Sequence, residues 1–309
     1  MPETGIGATL YGGIEGGGTK FVCAVGRSPV EIVDSASIPT TEPRATLAEC
    51  VRFLASAQDR HGPIAAIGFS CFGPLELRRE AKNYGCVLST PKPGWSRANV
   101  LEPLQSAFDV PLAFDTDVAA AALAEWRLGA GQGFGSLAYV TVGTGIGGAV
   151  VPTEFVSGRL MHAEMGHIPV RRDPRDPDFA GVCPFHGDCL EGLASGPAIV
   201  ERWGCPLDAL PAIHPGPSIV AGYLGQMAAS IALMHCVERI VFGGGVMSHP
   251  AMHALVREAA ARYLNAYIEV LEDNVTDYIC APALGHRAGI AGALLLAQSE
   301  HALRGASEA

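Results

Sequence analysis

Four residues have the types and spacing of a metal site. Cys183, His186 and Cys189 stand in the run Cys183-Pro184-Phe185-His186-Gly187-Asp188-Cys189, and His167 precedes it. Two thiolates and two imidazoles suit tetrahedral zinc, and four protein ligands leave no open position, so such a zinc is structural. The bland alternative is a pair of spare cysteines with polar histidines beside them. The C-x-x-H-x-x-C spacing, which sets three ligands on one tight loop, favours the metal. A rigid knuckle there would hold Glu164, three residues before His167, and Glu191, two after Cys189, as paired carboxylates for neighbouring hydroxyls of a ligand.

Glycine turns form the second group. Gly17, Gly18, Thr19 and Lys20 follow Glu15 and Gly16, and Gly143, Thr144 and Gly145 open a second turn. Without a Cβ, backbone N–H groups can point at phosphate oxygens, while threonine hydroxyls and a lysine add donors and charge. One such turn is usually a hairpin and nothing more. Two, at matched places and each with a threonine, favour phosphate binding. Gly243-Gly244-Gly245 follows an apolar strand, and Gly244 and Gly245 can form a flat platform for a nucleoside. Neither loop is a Walker A or a dinucleotide fingerprint. Asp115-Thr116-Asp117 lies between a short strand and an alanine-rich helix. A carboxylate there can cap the helix. It can also act as general base at the C-terminal end of a strand, and Asp117 is the residue expected to do so.

The elements that would position these groups alternate between strand and helix, which defines an α/β protein. Leu10 to Val25 reads as strand, glycine turn, strand, and Ser136 to Val151 repeats that pattern, which suggests a duplicated architecture. Helices are expected near Thr46–Asp59, Asn99–Phe108, Ala119–Leu128, Ser218–His235, Ala251–Tyr267 and Ala288–Ser299, with short strands at Ile64–Phe69, Pro111–Phe114 and Ile240–Phe242. The loop from Ser70 to Pro74 includes Gly73, and Glu154 to Pro197 is expected to be mostly loop. The division expected is residues 1–118 as a first domain, joined by the helix at 288–309, and 119–287 as a second carrying the cysteine knuckle.

At 309 residues the chain has room for about two domains. A net charge of −10 with no basic run speaks against nucleic acid and anionic lipid as partners. No uninterrupted apolar stretch reaches about 18 residues, so no membrane span is expected. The start, Met1-Pro2-Glu3-Thr4, lacks the pattern of a signal peptide, and the scattered cysteines fit a reducing, cytoplasmic setting.

Taken together, Glu15 to Lys20, Asp115 to Asp117, Gly143 to Gly148, Glu164 to His167 and the cysteine knuckle resemble the ROK family (repressor, open reading frame, kinase). Ser89 to Trp95, Phe114 to Asp117, His186 to Gly192 and Leu193 to Ala198 look like its zinc-containing bacterial fructokinases. The likeness runs from about Tyr11 to Ala297. It implies an actin-like fold of two ribonuclease-H-like domains with a cleft between them, usually a homodimer. It also implies ATP with Mg²⁺ against the second domain and a hexose as small-molecule substrate. Asp117 falls on the family's catalytic base. Glu164, His167 and Glu191 fall on its sugar-binding or zinc positions, Gly73 joins the sugar-binding set, and Cys183, His186 and Cys189 match the remaining zinc ligands. Glu15 matches the acidic residue near the metal and phosphates, where the wider family more often has Asp. Ala119 and Ala124 stand where the family more often has Asn and Gly.

The activity implied is ATP + D-fructose → ADP + D-fructose 6-phosphate. The alternatives are a kinase for glucose, mannose or an N-acylated amino sugar, a repressor of the same family, and a zinc-stabilised sugar binder without catalysis. A repressor needs a DNA-binding module before the first strand, where about ten residues stand. A mere binder needs neither Asp117, Lys20 nor the glycine loops.

Overall fold

The computed structural model describes residues 9–152, 161–269 and 275–307. Within these, the chain forms two compact units. Unit 1 takes the residues up to Ala124, those of Gly158–His162 and those from His286 onward; unit 2 takes those of Glu125–Ser157 and Ala163–Gly285.

In unit 1 the glycine-rich start forms a hairpin, β1 (Leu10–Gly16) and β2 (Lys20–Gly26), followed by β3 (Ile32–Pro39). Next come α1 (Pro43–His61), β4 (Ile64–Cys71), α2 (Glu102–Ala107), β5 (Leu112–Thr116) and α3 (Asp117–Leu128), the last continuing into unit 2. The sheet order is β3-β2-β1-β4-β5. β1 pairs antiparallel with β2 and parallel with β4. α1 forms because Leu47, Cys50, Leu54 and Ala57 recur at helical spacing on its buried face, with Pro43 at its start and the Glu42 carboxylate accepting the Ala45 N–H at 2.9 Å. Trp95 is fully buried, meets Phe21 and Phe72 edge-on at 5.4 and 5.1 Å, and donates its indole N–H to the Thr41 carbonyl. Each such ring pair adds about 1 kcal/mol beyond its burial.

Unit 2 repeats the opening with β6 (Leu137–Val142) and β7 (Ile146–Val151). There follow α4 (Leu190–Ala194), α5 (Gly196–Trp203), α6 (Gly216–His235), β8 (Ile240–Gly243), α7 (Met252–Leu264), α8 (Val275–Tyr278) and β9 (Ile279–Cys280). Its sheet order is β7-β6-β8-β9, again an antiparallel hairpin joined by parallel strands. α6 is long and apolar enough to cross a membrane, yet 61% of its apolar window is buried inside the protein, where it packs on α7 as a core helix. The chain then returns to unit 1 as α9 (Ala288–Ser307), lying on β1 and β4. That approach requires Gly68, since a Cβ there would stand 1.8 Å from the Ala293 carbonyl oxygen.

Several elements differ from their sequence-based bounds. β3 is an additional strand: it lies at an exposed edge of the sheet, and Asp34, Ser35 and Ser37 interrupt its apolar residues, so it lacks an apolar run. The helix expected from Asn99 begins at Glu102, because the Asn99 side chain accepts the N–H groups of Leu101 and Glu102 and ends the preceding turn. α7 stops at Leu264 because Asn265 takes a left-handed conformation. The stretch expected as loop up to Pro197 contains α4 and the start of α5.

Unit 2 also depends on Glu125, which is fully buried. Its carboxylate accepts the backbone N–H groups of Ala130, Ala283 and Leu284 at 2.8–3.0 Å. Truncation takes the shared acceptor from three backbone donors, on residues that are themselves partly exposed, and empties the buried place of the carboxylate. Glu125→Ala is expected to lower unfolding free energy by about 3–5 kcal/mol in urea titration; a loss under about 1 kcal/mol would show that water replaces the carboxylate.

Candidate active site

In unit 1, Asp117 is the first residue of α3, directly after β5. Capping does not occupy it. The Thr116 hydroxyl accepts the Ala119 N–H at 3.1 Å, while Asp117 Oδ1 accepts its neighbour's Val118 N–H at 2.8 Å. Burial raises the Asp117 carboxyl above its ordinary value, against the lowering by backbone hydrogen bonds and by His162. His162 also accepts the Leu75 N–H at 2.9 Å, just after Gly73, so it ties that loop down. Ala119 keeps its N–H satisfied through Thr116, and Ala124 is fully buried.

Glu15 lies on β1. Burial first, and then the charge of Asp117, lift its carboxyl from 4.5 to about 7, against the pull of Lys20 and the Ile290 N–H. The carboxylate rests against Gly289 at the start of α9, where a Cβ would stand 2.2 Å from it. A carboxyl raised on folding binds more protons folded than unfolded, so its contribution to stability falls as pH rises from about 4.5 through about 7. In magnesium-free buffer, Glu15→Gln should therefore gain stability relative to wild type at pH 8 and gain little at pH 5. The gap between the two differences should be on the order of 2–3 kcal/mol, read from urea midpoints. Equal differences at both pH values would refute the shift.

Gly17, Gly18, Thr19 and Lys20 form the β1–β2 turn, closed by the Gly17 N–H to the Lys20 carbonyl at 3.0 Å. Thr40 donates its hydroxyl to the Gly17 carbonyl, and the Lys92 ammonium donates to the Gly18 carbonyl. Lys92 thereby places a second cation beside this turn. It comes from a distant loop, and only its place in the Ser89–Trp95 run hinted at it.

In unit 2 a cavity of about 720 Å³ opens beside the second glycine turn. Gly143, Thr144 and Gly245 line it, and Ile199, Val200, Leu207 and Val246 supply apolar wall. Gly145 and Gly244 are not in the lining. Gly244 has φ 92° and packs on the Val142 backbone, where a Cβ would stand 2.4 Å from the carbonyl oxygen, so only glycine fits there. The apolar wall was not marked in the sequence, because such residues read as ordinary core.

The Cys/His set comes together in the same unit. The donor atoms of His167, Cys183, His186 and Cys189 all lie within 4.8 Å of one another. His167 Nδ1 stands 3.7 and 3.5 Å from the two sulfurs, and His186 Nδ1 stands 3.7 Å from Cys183 Sγ. Soft thiolates with imidazoles at these separations fit a tetrahedral zinc. The knuckle is a tight turn in which Cys183 and Gly187 exchange backbone hydrogen bonds, and Arg172 holds Asp188 at 3.1 Å. Glu164 precedes the 3₁₀ turn that carries His167, and its carbonyl accepts the His167 N–H. Glu191 follows Cys189 in the first turn of α4.

The folds of the two units and these clusters define a sugar-kinase architecture of the actin-like type. The chain belongs to the ROK family, whose model matches residues 11–300. It is 44% identical to a fructokinase of Zymomonas mobilis over 93% of this chain and 96% of that one. It is 39% identical to a fructokinase of Pediococcus pentosaceus, over 94% of this chain and 98% of the relative. Among solved structures, a ROK hexokinase from Thermus thermophilus superposes with a TM-score of 0.76 at 27% identity, covering 94% of this chain and 99% of that one.

Proposed function

We propose that this protein is an ATP-dependent fructokinase, forming D-fructose 6-phosphate and ADP. The observation that carries this reading is the 38–44% identity to fructokinases along about nine tenths of the chain. The chemistry of the site supports it. Asp117, raised by burial and left free of the capping task, orients the 6-hydroxyl of the sugar and takes its proton as the new P–O bond forms. The β- and γ-phosphates meet backbone N–H groups of the glycine turns, with Thr19, Thr144 and Lys20 as further donors. The base and ribose lie against Gly245 and the apolar wall of the cavity. Mg²⁺, when bound, neutralises phosphate charge, and Glu15 is the carboxylate this chain offers to its shell. Glu164, Glu191, His167 and Gly73 contact the sugar, and zinc in the Cys/His knuckle would stiffen the segments that carry Glu164, His167 and Glu191. Nine cysteines with no disulfide among them are in keeping with a cytoplasmic enzyme, and the working unit is a homodimer.

The test is ADP release from MgATP with fructose, glucose, mannose and N-acetylated amino sugars. Fructose should lead the panel in kcat/KM by at least tenfold. A lead for another hexose keeps the kinase and overturns the substrate; no turnover with any sugar, from zinc-loaded protein, overturns the kinase.

A further inference from the structure

Glu191 touches two things at once. Its Oε2 accepts the backbone N–H of Ile146, the first residue of β7, at 2.8 Å. Its Oε1 lies 4.0 Å from His167 Nε2, the ring nitrogen opposite the one that faces the cysteine sulfurs. A carboxylate on the far side of a metal-bound imidazole commonly fixes the ring and strengthens its hold on the metal. The second glycine turn is thus pinned by a side chain whose other oxygen faces a cluster ligand.

The turn is held on its other flank by the same helix pair. The Gly143 carbonyl accepts the N–H of Gly196 at 2.7 Å, and the Ser195 N–H returns to the Glu191 carbonyl at 3.1 Å. α4 itself starts directly after Cys189, a member of the cluster. Gly145 is small for the same reason: a Cβ would stand 2.7 Å from Glu191 Oε2. Loop, carboxylate, imidazole and thiolates form one chain of contacts inside unit 2.

We infer that Glu191, besides any contact with sugar, is a positioning residue that joins the Cys/His zinc cluster to the glycine turn at Gly143–Gly145, so that the cluster's integrity is felt in nucleotide binding. This rests on reading that turn as a phosphate loop and the cluster as a zinc site.

Two readouts separate this from a role in sugar binding alone: affinity for the magnesium complex of a non-hydrolysable ATP analogue, titrated calorimetrically with no sugar present, and zinc affinity against a chromogenic chelator. Glu191→Ala should weaken the analogue about tenfold and zinc about tenfold or more. Glu191→Gln keeps an acceptor for the Ile146 N–H and loses the charge facing His167. With zinc held saturating it should bind the analogue within about threefold of wild type, and its zinc affinity should still fall. With the zinc chelated away, the analogue should weaken for wild type and variant alike, and unchanged binding by the zinc-free protein would overturn the coupling. Should Glu191→Ala not fold, Glu191→Asp, which draws the carboxylate back by one methylene, takes its place with the same expectations. Thr144→Asp is the control for the loop, since a carboxylate beside bound phosphates repels them. If Thr144→Asp weakens the analogue while Glu191→Ala binds it as wild type does, the coupling is wrong and the phosphate loop stands. If Thr144→Asp also binds as wild type, the phosphate reading falls and the coupling with it.

Discussion

Asp117→Asn should lose roughly 10²- to 10⁴-fold in kcat, the range a general base contributes, while its Kd for fructose stays within about threefold of wild type. The reason lies in what the substitution preserves. Asn has the same shape and still offers an oxygen to the Val118 N–H, and Thr116 continues to cap α3. Only the group able to take a proton disappears. Burial, which raises the Asp117 carboxyl, makes that group a better proton acceptor and costs folding free energy for its ionised form. The amide avoids that cost, so the variant should melt no lower than wild type. Turnover by ADP release, fructose affinity by calorimetry and a thermal melt together decide the matter. A variant that keeps most of its kcat rejects Asp117 as the base. One that loses kcat and several degrees of Tm together points to a structural role instead.

Cys183→Ser is expected to reduce bound zinc from one per chain to nearly none, because it removes one of two thiolates from a four-donor set. Cys183 is buried and its backbone closes the knuckle turn with Gly187. Loss of the metal therefore loosens the turn that precedes α4. Binding free energy at a structural zinc site is folding free energy, so Tm should fall by on the order of 10 °C. Metal analysis by mass spectrometry and a melt with and without added zinc are sufficient. Unchanged zinc content in the variant would end the metal assignment. Zinc loss without change in Tm would leave a site with no part in stability.

How much of this could be read beforehand depended on whether the signal was local. The two glycine turns were legible because each sits inside one hairpin, and the Cys/His cluster because three of its members share one short loop. α1 was legible because its buried positions recur at helical spacing. β3 was not, since an exposed edge strand with Asp34, Ser35 and Ser37 carries no apolar run. α4 is five residues long, too short for periodicity to register. In the site His162 and Lys92 were missed, and in the fold of unit 2 Glu125, for a common reason: each meets a partner far along the chain, and no motif encodes such a meeting. Which residue of Asp115-Thr116-Asp117 caps α3 was also beyond the sequence: either acid could have done so, and it is the Thr116 hydroxyl that accepts the Ala119 N–H.

The return of α9 to unit 1 sets a condition on biosynthesis. β1 and β4 leave the ribosome first, yet the helix that covers them, through Gly68 against Ala293 and Gly13 against Leu294, is translated only after all of unit 2. At about 5–20 residues per second, those strands wait tens of seconds with one face uncovered. Unit 2, whose strands and helices run from β6 to β9 without a strand or helix of unit 1 between them among the described residues, can close in the meantime. The earliest-made half of the protein is thus the last to mature, and a stop codon shortly before residue 288 would cripple the N-terminal half rather than the half it interrupts.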